Sequence, residues 1–216
     1  MNRFSPGSRN NKERLDHAER LLAAGRHAVQ ADDLDEALAF LQEAFLIKAG
    51  LLGLEHTGTI SIAEEIGEFS HHLDKMDETI GFFQREIDKI TDPNDPRLPL
   101  LANLIERIGN IYNSHDSLSE AGAMYALALA SVERARGQED RPIVFLLQKM
   151  VGIQYNLGDL AAAQELTERV LALDERVFGS QHPKVAADLS SLGGILRASG
   201  KLEAARAAYE RAITIE

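Results

Sequence analysis

The stretch Ile105-Glu106-Arg107-Ile108-Gly109-Asn110-Ile111-Tyr112-Asn113-Ser114-His115-Asp116-Ser117-Leu118-Ser119-Glu120-Ala121-Gly122-Ala123-Met124-Tyr125-Ala126-Leu127-Ala128 carries two helical faces on either side of a short polar turn. Ile105, Ile108, Gly109 and Tyr112 fall at i, i+3, i+4 and i+7. Ala121, Tyr125 and Ala128 repeat that spacing after the turn, so each half presents one apolar stripe of period 3.6. The turn, Asp116-Ser117-Leu118, has counterparts up and down the chain: Asp32-Asp33-Leu34, Asp74-Lys75-Met76, Gly158-Asp159-Leu160 and Gly200-Lys201-Leu202, each 42 residues from the next without an insertion. A constant period of this length marks supersecondary units stacked in one dimension, an architecture that presents a long surface.

In that register the columns are consistent. Gly25, Gly67, Gly109, Val151 and Gly193 form one, preceded by Ala24, Ile66, Ile108, Met150 and Leu192 and by Leu21, Ala63, Ile105, Leu147 and Leu189. After the turn come Ala37, Thr79, Ala121, Ala163 and Ala205, then the bulky Leu41, Phe83, Tyr125, Thr167 and Tyr209. Small residues at matching levels of two helices allow close approach, and Gly inside a helix costs roughly 0.5–1 kcal/mol relative to Ala, so its recurrence predicts tight packing. The first helices (A) are expected near 13–31, 57–72, 97–114, 140–156 and 182–198, and the second (B) near 34–51, 76–90, 118–136, 160–178 and 202–215. Pro142 and Pro183 suit first helical turns, and Asp92-Pro93-Asn94-Asp95-Pro96 breaks the chain between elements.

Composition narrows the function classes. The 216 residues include no cysteine and no tryptophan, so disulfides and thiolate metal sites are excluded and packing must hold the fold. The formal net charge of −11 opposes a sequence-independent grip on nucleic acid, which needs clustered Lys and Arg. The start, MNRFSPGSRNNK, lacks the apolar stretch of a signal peptide, and no segment offers the ~20 apolar residues of a membrane span. A soluble, cytoplasmic chain is expected, with a flexible N-terminal arm over 1–12 and repeats near 13–55, 56–96, 97–139, 140–181 and 182–216.

The columns resemble the tetratricopeptide repeat, with its large, Leu, Gly, Tyr order in the first helix and Ala, aromatic, Ala in the second; Ile105, Ile108, Gly109, Tyr112, Ala121, Tyr125 and Ala128 carry it best. The 42-residue period is similar to the kinesin-light-chain variety, whose Gly-x-x-His-Pro connector is present as Gly179, His182 and Pro183 and echoed by Gly53 and His56 with Thr57 in place of proline. Val151, Glu86 and Gln154 depart from the pattern, so repeats two and four are expected to pack less regularly. The resemblance implies an all-α, right-handed superhelical α-solenoid of five helix-turn-helix repeats whose A helices line a concave groove that binds a peptide or protein.

Carried over column by column, the resemblance assigns to that groove Glu64, Glu68, His71 and His72 from repeat two, Asn103, Glu106, Asn110, Asn113 and Ser114 from repeat three, Phe145, Gln148, Gly152, Tyr155 and Asn156 from repeat four and Arg197 from repeat five. Repeat one supplies Glu19 and Arg26. Carboxylates therefore gather in repeats one to three, and a ligand with a basic segment is expected there. Asparagine amides, which donate and accept, suit the backbone of an extended peptide.

Chemical alternatives are poorly supported. Glu68 and His71 share a helix face, but His71 and His72 point about 100 degrees apart, and three donors on one short stretch do not make a converging metal site. There is no Gly-x-Ser-x-Gly elbow, Walker loop or dinucleotide fingerprint. We expect no enzyme, metal or cofactor, but an interaction scaffold. The alternatives are a self-assembly module, motivated by the apolar Ile213 and Ile215 on the last helix, and a regulatory receptor for a short peptide.

Overall fold

The computed structural model of the chain describes residues 6–31, 33–135 and 140–215, with side chains from Asn10 and again from Arg141. These residues form ten α-helices and no strand: α1 (Pro6–Gln30), α2 (Leu34–Leu52), α3 (Thr57–His72), α4 (Met76–Asp88), α5 (Arg97–Ser114), α6 (Leu118–Arg134), α7 (Asp140–Leu157), α8 (Leu160–Phe178), α9 (Pro183–Ala198) and α10 (Leu202–Ile213). Odd-numbered helices are the A helices and even-numbered ones the B helices. The expected fold class, an all-α solenoid of five helix pairs, is the one observed. One boundary is corrected: α1 starts at Pro6 rather than 13, taking in most of the arm read as flexible, because proline is pre-set for the first helical turn and nothing between it and Lys12 interrupts the helix. Residues 1–5 of that arm, Asp32 of the first turn, 136–139 at the expected third repeat boundary and Glu216 lie outside the described residues.

The turn column has a backbone cause. Asp74, Asp116, Gly158 and Gly200 all adopt positive φ, at 55, 63, 80 and 75°, the left-handed conformation that closes a helix. The next residue's N–H then reaches back five positions, Lys75 to Ser70, Ser117 to Tyr112, Asp159 to Gln154 and Lys201 to Leu196, at 2.8–3.0 Å. Asp33 does the same to the Ala28 carbonyl at 2.9 Å. Asp33 and Asp159 also cap the following helix, accepting from the Glu36 and Ala162 N–H groups. Gly and Asp occupy this column because they tolerate a left-handed residue between two helices.

The connectors from B to A helices are equally explicit. Gly179 sits at φ 86°, ψ 154°, a region open essentially to glycine alone. His182 follows as N-cap, its Nδ1 accepting from the Lys184 N–H at 3.1 Å, and His56 caps the Gly58 N–H the same way at 3.0 Å. Between repeats two and three, Asp92 accepts from the Asn94 N–H and Asp95 from the Arg97 N–H, both at 2.9 Å. The Arg97 guanidinium also holds the Asp95 carboxyl down to about 2. Arg134 of α6 donates to the Ile87 carbonyl at the end of α4 and to the Ile90 carbonyl just past it, closing a helix that the prolines cut short.

Packing follows the columns. Ala37, Thr79, Ala121, Ala163 and Ala205 are all buried, as are Leu41, Phe83, Tyr125 and Thr167. A Cβ placed on Gly109 would lie 2.7 Å from Tyr125 Cε1, so the glycine makes room for the aromatic ring. Gly67 works differently: its Cβ would meet Ile108 and Ile111 of α5 at 3.1 Å. Within repeat two, α3 and α4 touch at few positions, with the partly buried Glu86 where the other repeats carry small apolar residues. Repeat four departs from the expectation, because α7 and α8 pack along their length despite Val151 and Gln154. One apolar core runs from Ala18 to Val170. The last repeat has its own smaller clusters, around Val185, Ala186, Leu189 and Ala212 and around Leu192, Leu196, Ala205 and Ala208, each touching Leu171.

Candidate ligand groove

The A helices bring several of the expected groove residues together. Glu64, Glu68, Asn110 and Ser114 line a shallow cleft of about 350 Å³ between α3 and α5, with Arg107 and Ile111. Asn103, Glu106, Phe145 and Gln148 share a larger one, about 570 Å³, with Asp174 and Lys184. Phe145 is 50% exposed and Tyr155 48%, although the corresponding positions in the flanking repeats are Asn103 and Ala187, and Asn113 and Arg197. Asn113, Asn156 and Arg197 are exposed on their helices and line neither cleft.

The carboxylates expected to attract a basic ligand already have cationic neighbours. Glu64 accepts from Arg107 at 2.8 Å, Glu106 lies 3.5 Å from Lys149, and Glu19 lies 2.8 Å from Lys48. Arg26, instead of standing alone, pairs with Glu65 at 3.1 Å, which raises its own pKa. The Glu19–Lys48 pair lies within repeat one, whereas the others join consecutive repeats, and Arg107 and Lys149 each stand one repeat plus one residue beyond their glutamates. That spacing is the signal in the sequence that would have found them. Exposed pairs of this kind contribute about 0–1 kcal/mol each, but they offset the local charge on which the basic-ligand expectation rested.

Asn110 is likewise engaged within the protein. Its Oδ1 accepts from the Tyr125 hydroxyl at 2.9 Å and from Lys149 Nζ at 2.7 Å, and its Nδ2 donates to Glu106 at 3.4 Å. Burial, with Glu106 nearby, pushes the Tyr125 phenol up to about 12. Asn103 accepts from Arg107 at 3.3 Å. Asn110 is therefore part of a network spanning repeats three and four, with Lys149 also over the Phe145 ring at 4.8 Å and the Tyr125 ring at 5.3 Å, whereas Asn103 joins through Arg107 to Glu64 of repeat two.

His71 and His72 meet a third histidine that sequence reasoning missed. His115 stacks on His71 with centroids 4.3 Å apart and stands edge-on to His72 at 5.8 Å. Its Nε2 lies 3.1 Å from Glu68, and Ser117 Oγ lies 3.3 Å from His71 Nδ1. Among the described residues no three His, Cys, Asp or Glu side chains are placed to hold a metal ion. No described helix is long and apolar enough to cross a membrane.

With this geometry in place, comparison with known proteins identifies the architecture. Residues 144–215 match the tetratricopeptide repeat family. The protein kinesin light chain-related 2 from Arabidopsis thaliana is 22% identical over 170 residues, covering 79% of this chain, and the chain spans 26% of that relative's length. A crystal structure of nearly identical TPR-like repeats from a candidate kinesin light chain of Podosopora anserina superposes with a TM-score of 0.51 at 18% identity, covering 91% of this chain and 93% of that one. BtubC (BKLC) from P. vanneervenii gives 0.51 at 16% identity over 98% of this chain and 91% of that chain. The structural likenesses are likenesses of fold. Over residues 144–215 the chain matches the tetratricopeptide repeat family, and its 42-residue helix pairs are similar in fold to the repeats of a kinesin-light-chain-like protein.

Proposed function

We propose that this array is a protein-interaction scaffold that takes up a peptide or protein segment along its A helices and performs no chemistry of its own. The observation that carries this reading is the pair Phe145 and Tyr155, aromatic side chains left half-exposed on α7, an A helix. Aromatic anchors beside a polar rim are what a binding surface concentrates its energy in. Phe145 borders the 570 Å³ cleft, where Asn103 and Gln148 supply polar edges.

Selection of peptides from a displayed library on the immobilised chain tests the reading, followed by calorimetry of the selected sequence. Phe145→Ala is expected to weaken binding at least about tenfold, the range of a hot-spot residue, and Val177→Ala, on a B helix, to leave it unchanged. Selection of no sequence, or equal effects of the two substitutions, contradicts it.

Two further readings have specific support. A basic segment in the ligand is favoured by the net charge of −11, despite the ion pairs that occupy the groove carboxylates. Self-association is favoured by Ile213 of α10, 71% exposed, because its counterparts Ile87 and Leu129 are buried. Sedimentation of the wild type against Ile213→Lys tests it: a concentration-dependent dimer abolished by the lysine supports that reading, and a monomer throughout opposes it.

A further inference from the structure

Two aspartates occupy positions that the preceding repeats, from the second on, fill with apolar side chains. Asp188 of α9 stands in register with Ile62, Leu104 and Leu146, and Asp174 of α8 with Ile90 and Val132, while repeat one carries Arg20 and Lys48 in these columns; the five apolar counterparts are buried. Both aspartates are buried as well, Asp174 at 2% exposure and Asp188 at 7%. They sit where the long core gives way to the separate clusters of the last repeat. Asp188 Oδ2 is buried and has no hydrogen-bond donor, a costly arrangement for a carboxylate.

The surroundings supply little compensation. From α7 the facing group is the uncharged Gln148, from α8 it is Asp174, and from α9 it is Lys184. Lys184 Nζ lies 3.5 Å from Asp174 Oδ2 and also stands over the Phe178 ring at 5.2 Å. The charged pair contributed by α10, Arg211 with Glu175, runs to the residue after Asp174. Arg141 and Glu106 border the adjoining cleft. Two carboxyl groups thus share one cation, and a proton on Asp188 would turn the orphaned oxygen into a donor to Asp174.

We propose that the joint between repeat four and the last repeat is a proton-controlled latch: with Asp188 protonated and bonded to Asp174, α8 and α9 close on each other, and loss of that proton leaves two adjacent buried carboxylates that push α9 and α10 away. Burial and the Asp174 carboxylate push the Asp188 carboxyl up to about 7, which puts the change within the physiological range. The sign follows from linkage. The folded joint holds a proton that the unfolded chain releases near pH 4, so stability is greatest below that and falls as pH rises through about 7. Neighbouring buried like charges do not both ionise without cost.

Carboxyl ¹³C NMR titration of the whole chain, with amide exchange of α9 and α10 corrected for intrinsic pH dependence, tests the latch. One aspartate is expected to titrate near 7 and to vanish from the spectrum of Asp188→Asn. Between pH 5 and 8, exchange in α9 and α10 is expected to accelerate at least about tenfold in the wild type and to stay flat in Asp188→Asn and in Asp188→Leu, which restores the column residue. Should the leucine variant fail to fold, the asparagine variant carries the comparison. The latch is overturned if no aspartate titrates above the ordinary carboxylate range, if wild-type exchange in α9 and α10 is unchanged, or if the variants respond like the wild type.

Discussion

Ser70 and Tyr112 hold the same position in consecutive repeats, and their hydroxyl oxygens lie 2.5 Å apart in the buried interface between α3 and α5. Ser70 Oγ also donates to the Gly67 carbonyl at 3.2 Å, so the tyrosine is the donor of the bridging bond. Burial raises the pKa of the Tyr112 phenol, keeping it a donor. Tyr112→Phe leaves the serine its carbonyl bond and removes only the bridge. The expected loss is about 1 kcal/mol by urea denaturation, and Ser70→Ala added to it should cost much less than Ser70→Ala alone. Additive losses contradict the bridge.

Glycines of one helix type should respond in opposite directions to alanine. At Gly109 a Cβ would press within 2.8 Å of Tyr125 Cδ1 and 3.2 Å of Met124 Cβ, and Tyr125 cannot move without releasing Asn110. Gly109→Ala is expected to cost about 1–3 kcal/mol. At Gly152 nothing lies within 4 Å, and alanine there should gain about 0.5–1 kcal/mol from helix propensity. Thermal melts followed by circular dichroism separate the two, and equal shifts contradict the packing described.

Thr79 brings a hydroxyl into a column that is otherwise alanine, and its Oγ1 is buried with no partner. Thr79→Ala removes an unsatisfied group and restores the consensus. The expected effect is a gain of about 1 kcal/mol, seen as a higher melting temperature; a clear loss would mean that the γ-methyl packing outweighs the hydroxyl.

The left-handed turn residues give a third pair. Asp116→Gly relieves a non-glycine residue at φ 63° and should stabilise by up to about 1 kcal/mol, net of glycine's larger unfolded-state entropy. Gly200→Ala, at φ 75°, should destabilise by about 1–2 kcal/mol. Chemical denaturation of both variants checks the signs, and a gain at Gly200 would place the residue outside the left-handed region.

Helix pairing was legible at Ala121 and Tyr125 because a column sampled five times distinguishes a packing requirement from an accident. The turn was visible as a column of Asp and Gly, and the positive φ supplies its reason. The groove was less legible. Glu64 and Glu106 share its clefts as their columns implied, but their partners Arg107 and Lys149 lie on the neighbouring repeat, and whether long side chains meet across that boundary depends on rotamers that a column does not specify. Asn110 looked open to a ligand because its bonds to Tyr125 and Lys149 come from tertiary packing. Asp188 stands in a column whose middle members, Ile62, Leu104 and Leu146, are apolar, and that contrast was its signal in the sequence.

The most direct measurement is a hydrogen-exchange footprint of the chain with a selected peptide bound. Slower exchange along α5 and α7, reaching Phe145 and Tyr155 and sparing α6 and α8, is the expected result. Protection confined to the B helices, or none on α7 at saturating peptide, would contradict the claim that the A helices form the binding surface.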